Sequence, residues 1–125
     1  MELSLNTEES QEIFYNALCN GMAYMQGNGL DWNWSKEEYK IAQSKLKSPC
    51  LEDVLMQILR DGGTLNLIDV EGGDDEMTSI DIDHVNDRVQ HAPFEHLMDM
   101  INENDDAITA DVILQHVFFE DVVYG

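Results

Sequence analysis

The feature that most constrains this fold is a change in the hydrophobic pattern halfway along the chain. In two stretches, 64–70 and 77–83, apolar and polar side chains alternate, and an acidic, glycine-containing segment separates them. This pattern is typical of an antiparallel β-hairpin. The apolar residues that we expect on one face are Leu65, Leu67, Ile80 and Ile82. Because an isolated hairpin is marginally stable in water, we expect this one to pack on helices.

Helical periodicity precedes the hairpin. Apolar residues recur three and four positions apart through residues 7–25, and Thr7 is the predicted N-cap of this first helix. Ser35 followed by Glu38 has the pattern of a capping box, which predicts the start of a second helix. Residues 27–34, between the two helices, are predicted to form a loop because they are rich in Gly and Asn.

A third helix is predicted before the hairpin. Ser48 and Pro49 indicate its start, since Pro fits the first helical position. Gly62 and Gly63 indicate its end, because glycine adopts the left-handed conformation of a helix cap. The predicted buried stripe consists of Leu51, Val54, Leu55, Ile58 and Leu59.

Helical periodicity returns after the hairpin. Asp83 is predicted to cap a short helix, Pro93 to start another, and Thr109 to cap the last one. The stripe predicted to be buried on the helix after Pro93 is Phe94, Leu97, Met98 and Ile101. The predicted inner face of the last helix is Ala110, Ile113, Leu114, Val117 and Phe118.

These elements predict one α+β domain over residues 1–125. It is mainly helical, with three helices, a central two-stranded antiparallel hairpin, and then two to three helices. The apolar segment 122–124 either completes the core or forms a short edge strand. We expect a cytoplasmic protein, since the sequence shows neither a signal peptide nor a stretch of about 20 apolar residues.

The net charge of the chain limits the classes of function that it can have. The chain carries 26 acidic against 6 basic residues, a formal net charge of -20. Direct binding of nucleic acid or of an anionic membrane is opposed, because both depend on Lys and Arg. The charge is also uneven: residues 1–61 hold 10 acidic and 5 basic residues, whereas residues 62–125 hold 16 and 1. Such asymmetry indicates a partner rather than a fold.

The acidic half of the chain therefore predicts a surface for a basic protein. Glu95, Asp99 and Glu103 recur every fourth residue, which places carboxylates about 6 Å apart along one helix face. In size and charge, though in no sequence motif, the chain resembles small acidic proteins, often phage-encoded, that occupy nucleic-acid-binding grooves. The predicted function is that of a nucleic-acid mimic that inhibits a defence or nucleic-acid-processing protein. The predicted partner-binding residues are Asp74, Asp75, Glu76, Glu95, Asp99, Glu103, Asp105 and Asp106.

Two other interpretations of the acidity stay open. A surface can be acidic for solubility or salt adaptation alone, although -20 exceeds the magnitude of about 2–8 that a small domain needs. The alternative function is an acidic homo-oligomeric assembly protein that associates through an apolar C-terminal patch. The residues of that patch are Phe118, Phe119, Val122, Val123 and Tyr124.

No residue pattern predicts catalysis, a cofactor or a metal site. His91 and His96 are five residues apart with Pro93 between them, so they do not share a helix face as zinc-binding histidines do. The acidic turn 69–76 lacks the calcium-loop pattern, although adventitious binding of Ca²⁺ or Mg²⁺ stays open there.

The sequence contains two cysteines, Cys19 and Cys50. Both are expected to be reduced, and each is interpreted as a small buried residue beside a leucine.

Overall fold

The computed structural model describes residues 5–27, 29–69, 76–102 and 106–120. Within these ranges it contains six α-helices, one 3-10 turn and a three-stranded antiparallel sheet. In chain order the elements are α1 (Thr7–Gly27), β1 (Leu30–Asn33), α2 (Lys36–Ser44), α3 (Leu51–Arg60), β2 (Leu65–Asp69), β3 (Glu76–Ile80), α4 (Ile82–Arg88), the 3-10 turn Val89–His91, α5 (Phe94–Ile101) and α6 (Ala107–Phe119). The predicted α+β, mainly helical class is confirmed. None of these helices is both long and apolar enough to cross a bilayer.

The sheet has the order β1-β2-β3, with the predicted hairpin forming β2 and β3. Leu65 pairs with Ile80 across the hairpin, and Trp32 of β1 pairs with Leu67. The prediction of a loop over residues 27–34 is wrong, because Leu30–Asn33 forms the third strand. This strand has only four residues, so its buried-exposed alternation is too short to stand out in the sequence.

Helix α6 packs against several other elements of the structure. It contacts α1, α4, α5, the 3-10 turn and β3, and the five residues predicted for its inner face are all buried. The polar residues Asp111 and Gln115 of α6 are buried as well. Its most extensive packing is against α1, where Gly21 lies against Ala110 and Leu114. The first and last described helices therefore form the centre of the core.

Two helices before the hairpin begin one or more residues away from the predicted cap. At α1, Asn6 rather than Thr7 is the cap, because its Oδ1 accepts the N–H of Glu9 at 2.7 Å. The Glu9 carboxylate in turn accepts the N–H of Asn6 at 3.1 Å, completing a capping box. At α3 the cap is Cys50, so Pro49 precedes the helix instead of opening it.

The starts of α4 and α6 are displaced in the same way. Asp81 rather than Asp83 caps α4, and its carboxylate accepts the N–H of His84 at 3.0 Å. Ile82, predicted to lie on a strand, is therefore the first residue of this helix. Asp106 rather than Thr109 caps α6.

Two predicted helix ends are confirmed. The Ser35 hydroxyl accepts the N–H of Glu38 at 3.4 Å at the start of α2. At the end of α3, Gly62 has a φ of +90°, and the N–H of Gly63 donates to the Ile58 carbonyl at 2.9 Å. This geometry is a Schellman cap, which glycine adopts without steric cost.

The predicted buried stripe of α5 is partly wrong. Leu97 is buried as expected, but its buried partner is Met100, whereas Ile101 is 47% exposed. Phe94 and Met98 are half-buried. The helix is thus rotated toward Met100, which leaves Ile101 at the edge of a groove beside α1.

Candidate acidic interaction surface

The fold divides the charge into two parts. Residues 36–61, which form α2, α3 and their connection, hold five acidic and five basic residues and are electrically neutral. The other residues of the chain hold 21 acidic residues and one basic residue, Arg88. Since α2 packs against α3, the neutral segment is one structural unit, which we call the neutral helix pair. The whole net charge therefore belongs to the remainder of the chain.

Helix α5 presents two of the predicted partner-binding residues. Glu95 and Asp99 are exposed, one helical turn apart, on the side away from the buried Leu97 and Met100. Among the described residues, neither carboxylate has an Arg, Lys or His nitrogen within 4.0 Å. Within the part of the chain that the structure describes, no ion pair neutralises these two carboxylates.

The remaining predicted residues contribute less to this surface. Helix α5 ends at Ile101, and Glu103, the third residue of the predicted row, lies outside the described residues. Glu76 is the first residue of β3. The predicted residues outside the described ranges are Asp74, Asp75, Glu103 and Asp105.

Asp106 has a structural role at the start of α6. Its Oδ1 accepts the N–H of Thr109 at 2.9 Å. This hydrogen bond to the backbone lowers the pKa of the Asp106 carboxyl, because it favours the ionised form. Its carboxylate therefore stabilises the helix that fills the core.

Replacing Asp106 by Ala should lower the melting temperature at pH 7, because α6 loses its cap. The folded-state pKa is lowered, so this stabilisation is present above the unfolded pKa and disappears as the pH falls through the folded value. The difference between wild type and Asp106→Ala should therefore shrink toward pH 3. Thermal unfolding followed by circular dichroism measures it. Glu95→Ala serves as the control, and an equal loss in both variants would contradict the capping role.

A second group of carboxylates was missed in the sequence. Glu9 and Glu12 of α1 line an open groove of about 200 Å³ whose opposite wall includes Met100 and Ile101 of α5. In the sequence these glutamates are explained by the helix dipole alone, and their position opposite α5 depends on tertiary packing. A groove with apolar walls and carboxylates at its edge suits a Lys or Arg side chain, which has an aliphatic stem and a charged end.

The described part of the predicted apolar patch belongs largely to the core. Phe118 is 2% exposed and packs edge-to-face on Trp32, with ring centroids 5.2 Å apart. Phe119 is half-buried beside it, with centroids 6.3 Å from Phe118. The other patch residues, Val122, Val123 and Tyr124, lie outside the described residues.

The fold also brings together a cluster around Tyr15. Its hydroxyl donates to Asp53 Oδ1 at 2.7 Å and lies 3.7 Å from Cys50 Sγ. The Cys19 thiol, one turn along α1, interacts with the same hydroxyl. The prediction that both cysteines are buried is wrong: both are free and exposed. Their closeness depends on α1 packing against α3, for which the sequence gives no signal.

Ionisation in this cluster follows from its hydrogen bonds. The Asp53 carboxylate accepts a hydrogen bond from the Tyr15 hydroxyl, which raises the pKa of that hydroxyl and lowers the pKa of the Asp53 carboxyl. Desolvation of its sulfur raises the pKa of the Cys19 thiol. Tyr15 is therefore a permanent donor at neutral pH, and Asp53 is an ionised acceptor.

A third polar cluster surrounds Arg88. Its guanidinium donates to the Val117 carbonyl at 2.8 Å and pairs with Glu120 at 3.6 Å, so it stabilises the end of α6. Arg88 and Glu120 line a shallow cleft together with His91 and Asp87, and His91 Nε2 lies 3.9 Å from Asp87 Oδ1. Across the described ranges, no three His, Cys, Asp or Glu side chains are arranged to hold a metal ion.

No protein-family model, curated protein or solved structure matches this chain. Its function is therefore inferred from charge, exposure and contacts.

Proposed function

We propose that this chain is a non-enzymatic binding protein whose acidic surface pairs with Lys and Arg side chains of a basic protein. The observation that carries the proposal is the exposure of Glu95 and Asp99, which have no cationic partner among the described residues, on a chain of net charge -20. Like charges on one helix face repel and destabilise the fold. A partner that neutralises them provides a reason for their presence.

The partner class follows from the geometry of the carboxylates. Negative charges about 6 Å apart on a rigid helix resemble the regular phosphates of a nucleic acid. A groove that binds nucleic acid presents Lys and Arg at matching intervals. The proposed mechanism is competitive occlusion of such a groove in a defence or nucleic-acid-processing enzyme. The chain itself supplies binding without chemistry.

The groove between α1 and α5 extends the proposed surface. Glu9 and Glu12 lie across it from Ile101, an apolar residue that is 47% exposed. A basic residue of the partner would lay its methylene groups on Ile101 and direct its charge to the glutamates. Carboxylates and apolar side chains together favour a protein partner over a small cation.

Such an interface has a characteristic dependence on salt. Exposed ion pairs contribute about 0–1 kcal/mol each, so affinity requires several of them. Long-range attraction accelerates association and is screened over about 8 Å at 0.15 M salt. We therefore expect complexes that form rapidly at low salt and dissociate as the salt concentration rises.

The test is capture of partners on the immobilised chain at low salt, followed by stepwise salt elution and by displacement with duplex DNA or RNA. We expect nucleic-acid-binding enzymes that elute at moderate salt and that the duplex displaces. The double variant Glu95→Lys with Asp99→Lys should lose at least ten-fold in affinity for the captured enzyme. The matched control reverses Glu37 and Glu52, which belong to the neutral helix pair, and changes the net charge equally.

Two outcomes would overturn the proposal. If both double variants bind alike, the α5 carboxylates do not form the interface. If the chain forms a discrete, salt-insensitive oligomer and captures no basic enzyme, the assembly function replaces the inhibitor function. Sedimentation velocity at two salt concentrations measures the oligomeric state.

A further inference from the structure

The two cysteines of the chain are distant in sequence and adjacent in the fold. Cys19 lies in the second half of α1, and Cys50 caps α3. The hydroxyl of Tyr15 lies 3.7 Å from the Cys50 sulfur and also interacts with the Cys19 thiol. Both cysteines thus border the Tyr15 side chain, one from α1 and the other from α3, and a disulfide between them requires their Cα atoms to lie within about 7 Å.

Hydrogen bonds fix the framework around these thiols. Asp53 accepts the Tyr15 hydroxyl proton at 2.7 Å and the Cys50 N–H at 3.2 Å. One carboxylate therefore holds the Tyr15 side chain and the backbone of Cys50 together. Both cysteines are exposed, so a dissolved oxidant reaches them without unfolding of the chain.

We propose that Cys19 and Cys50 form a redox-active dithiol that a hydroperoxide converts into a reversible disulfide between α1 and α3. The site is independent of the acidic surface and of its partner. Its substrate class is the hydroperoxides, and its reductant is a dithiol.

The reaction balances in two steps. The Cys50 thiol loses its proton to solvent, and its thiolate attacks the terminal oxygen of the hydroperoxide. The O–O bond breaks, the Cys50 sulfur becomes a sulfenic acid, and the alkoxide takes up a proton from solvent to give the alcohol. The Cys19 sulfur then attacks the sulfenic sulfur, the S–O bond breaks, and the Cys19 proton leaves with the oxygen as water. In total, two thiols and one hydroperoxide yield one disulfide, one alcohol and one water. Cys19 is assigned the second attack because desolvation raises the pKa of its thiol, which disfavours the thiolate that the first step requires.

The experiment oxidises the reduced full chain with hydrogen peroxide and follows its intact mass. We expect a monomer lighter by about 2 Da, restored by dithiothreitol, because two hydrogens are lost. The two cysteines are the only ones in the chain, so the pairing is unambiguous. The bond closes a loop containing β1 and α2, so oxidation should raise the melting temperature by several degrees.

Two controls separate the proposed site from ordinary thiol oxidation. Cys19→Ser and Cys50→Ser should each lose the 2 Da product and instead gain oxygen or form disulfide-linked dimers. The folded chain should close its disulfide at least ten-fold faster than the chain in 8 M urea, because the fold holds the thiols together. An intramolecular bond that forms no faster when folded, or oxidation that yields only linked dimers, would overturn the proposal.

Discussion

Replacing Gly21 by Val is expected to destabilise the protein by about 3 kcal/mol, the upper end of the range for over-packing. A Cβ added at Gly21 would lie 2.9 Å from the Ala110 Cβ and 3.0 Å from Leu114 Cδ1. It would also lie 3.2 Å from the Ala110 carbonyl carbon, which cannot rotate away. The only remedy is to move α1 and α6 apart, which loosens the most extensive helix contact in the fold.

Urea unfolding followed by circular dichroism measures this loss. Gly27→Ala is the matched control in the same helix, because nothing lies within 4 Å of a Cβ built there. We expect that control to be neutral or stabilising, since Ala favours the helix by about 1 kcal/mol over Gly. The stability that Gly21→Ala loses should be partly restored by Ala110→Gly, because the second change removes the Cβ that the first one would contact. Equal stability of Gly21→Val and wild type would show that the two helices do not approach this closely.

The second large effect is expected at Asp111, where Asn should stabilise the protein at pH 7 by about 1 kcal/mol, because burying an incompletely paired carboxylate costs more than burying a neutral amide. Asp111 is 5% exposed, and its Oδ1 has no hydrogen-bond partner among the described residues. Its Oδ2 accepts the Gln115 amide at 2.9 Å, a bond that an Asn carbonyl retains. The substitution removes a buried charge and preserves the shape of the side chain.

The effect of Asp111→Asn should depend on pH with a definite sign. Desolvation raises the pKa of the Asp111 carboxyl above its unfolded value. As the pH rises from the unfolded to the folded pKa, the unfolded chain ionises first, and wild type loses stability. In thermal unfolding, the advantage of the variant should therefore grow as the pH rises above 3.8, the ordinary pKa of the group, and level off once the pH exceeds the raised pKa of the folded protein. Asp31→Asn, which removes an exposed carboxylate of β1, should change the melting temperature little at any pH. If the stability gained by Asp111→Asn is the same at every pH, Asp111 does not carry a buried charge.

Helices and the hairpin were predictable because their patterns are long and regular. Five apolar residues at helical spacing placed the inner face of α6 correctly, since burial on one side imposes that spacing. Strand β1 was missed because four residues do not establish a period of two, and its pairing partner lies beyond two helices. The burial of Asp111 and Gln115 was also unpredictable, because it depends on how many elements surround α6.

Exact helix starts were predicted less well, for a physical reason. Near α1 and α4, two or more residues able to cap follow one another closely, as Asn6 with Thr7 and Asp81 with Asp83 show. The side chain of each of these residues can accept a backbone N–H at the start of a helix, so local chemistry does not select between them. Tertiary packing determines where the backbone becomes helical, and the residue just before that point becomes the cap.

In the candidate sites, too, the features set by local sequence were predictable and those set by tertiary packing were not. Exposure of Glu95 and Asp99 was predictable, because a carboxylate opposite an apolar stripe faces water. The convergence of Cys19 and Cys50 on Tyr15 was not, since it requires the packing of α1 on α3. The groove beside Ile101 likewise depends on the rotation of α5.

The packing of α1 against α6 sets the order in which a nascent chain can acquire this fold. During synthesis α1 leaves the ribosome before the other described elements, and its main partner α6 follows only after all of them. Until α6 is synthesised, the apolar face of α1 lacks its native packing partner. During that time aggregation and chaperone binding compete with folding. Closure of contacts this distant in sequence is slow compared with local helix formation. A chain that stops short of α6 should therefore remain unfolded, however complete its hairpin.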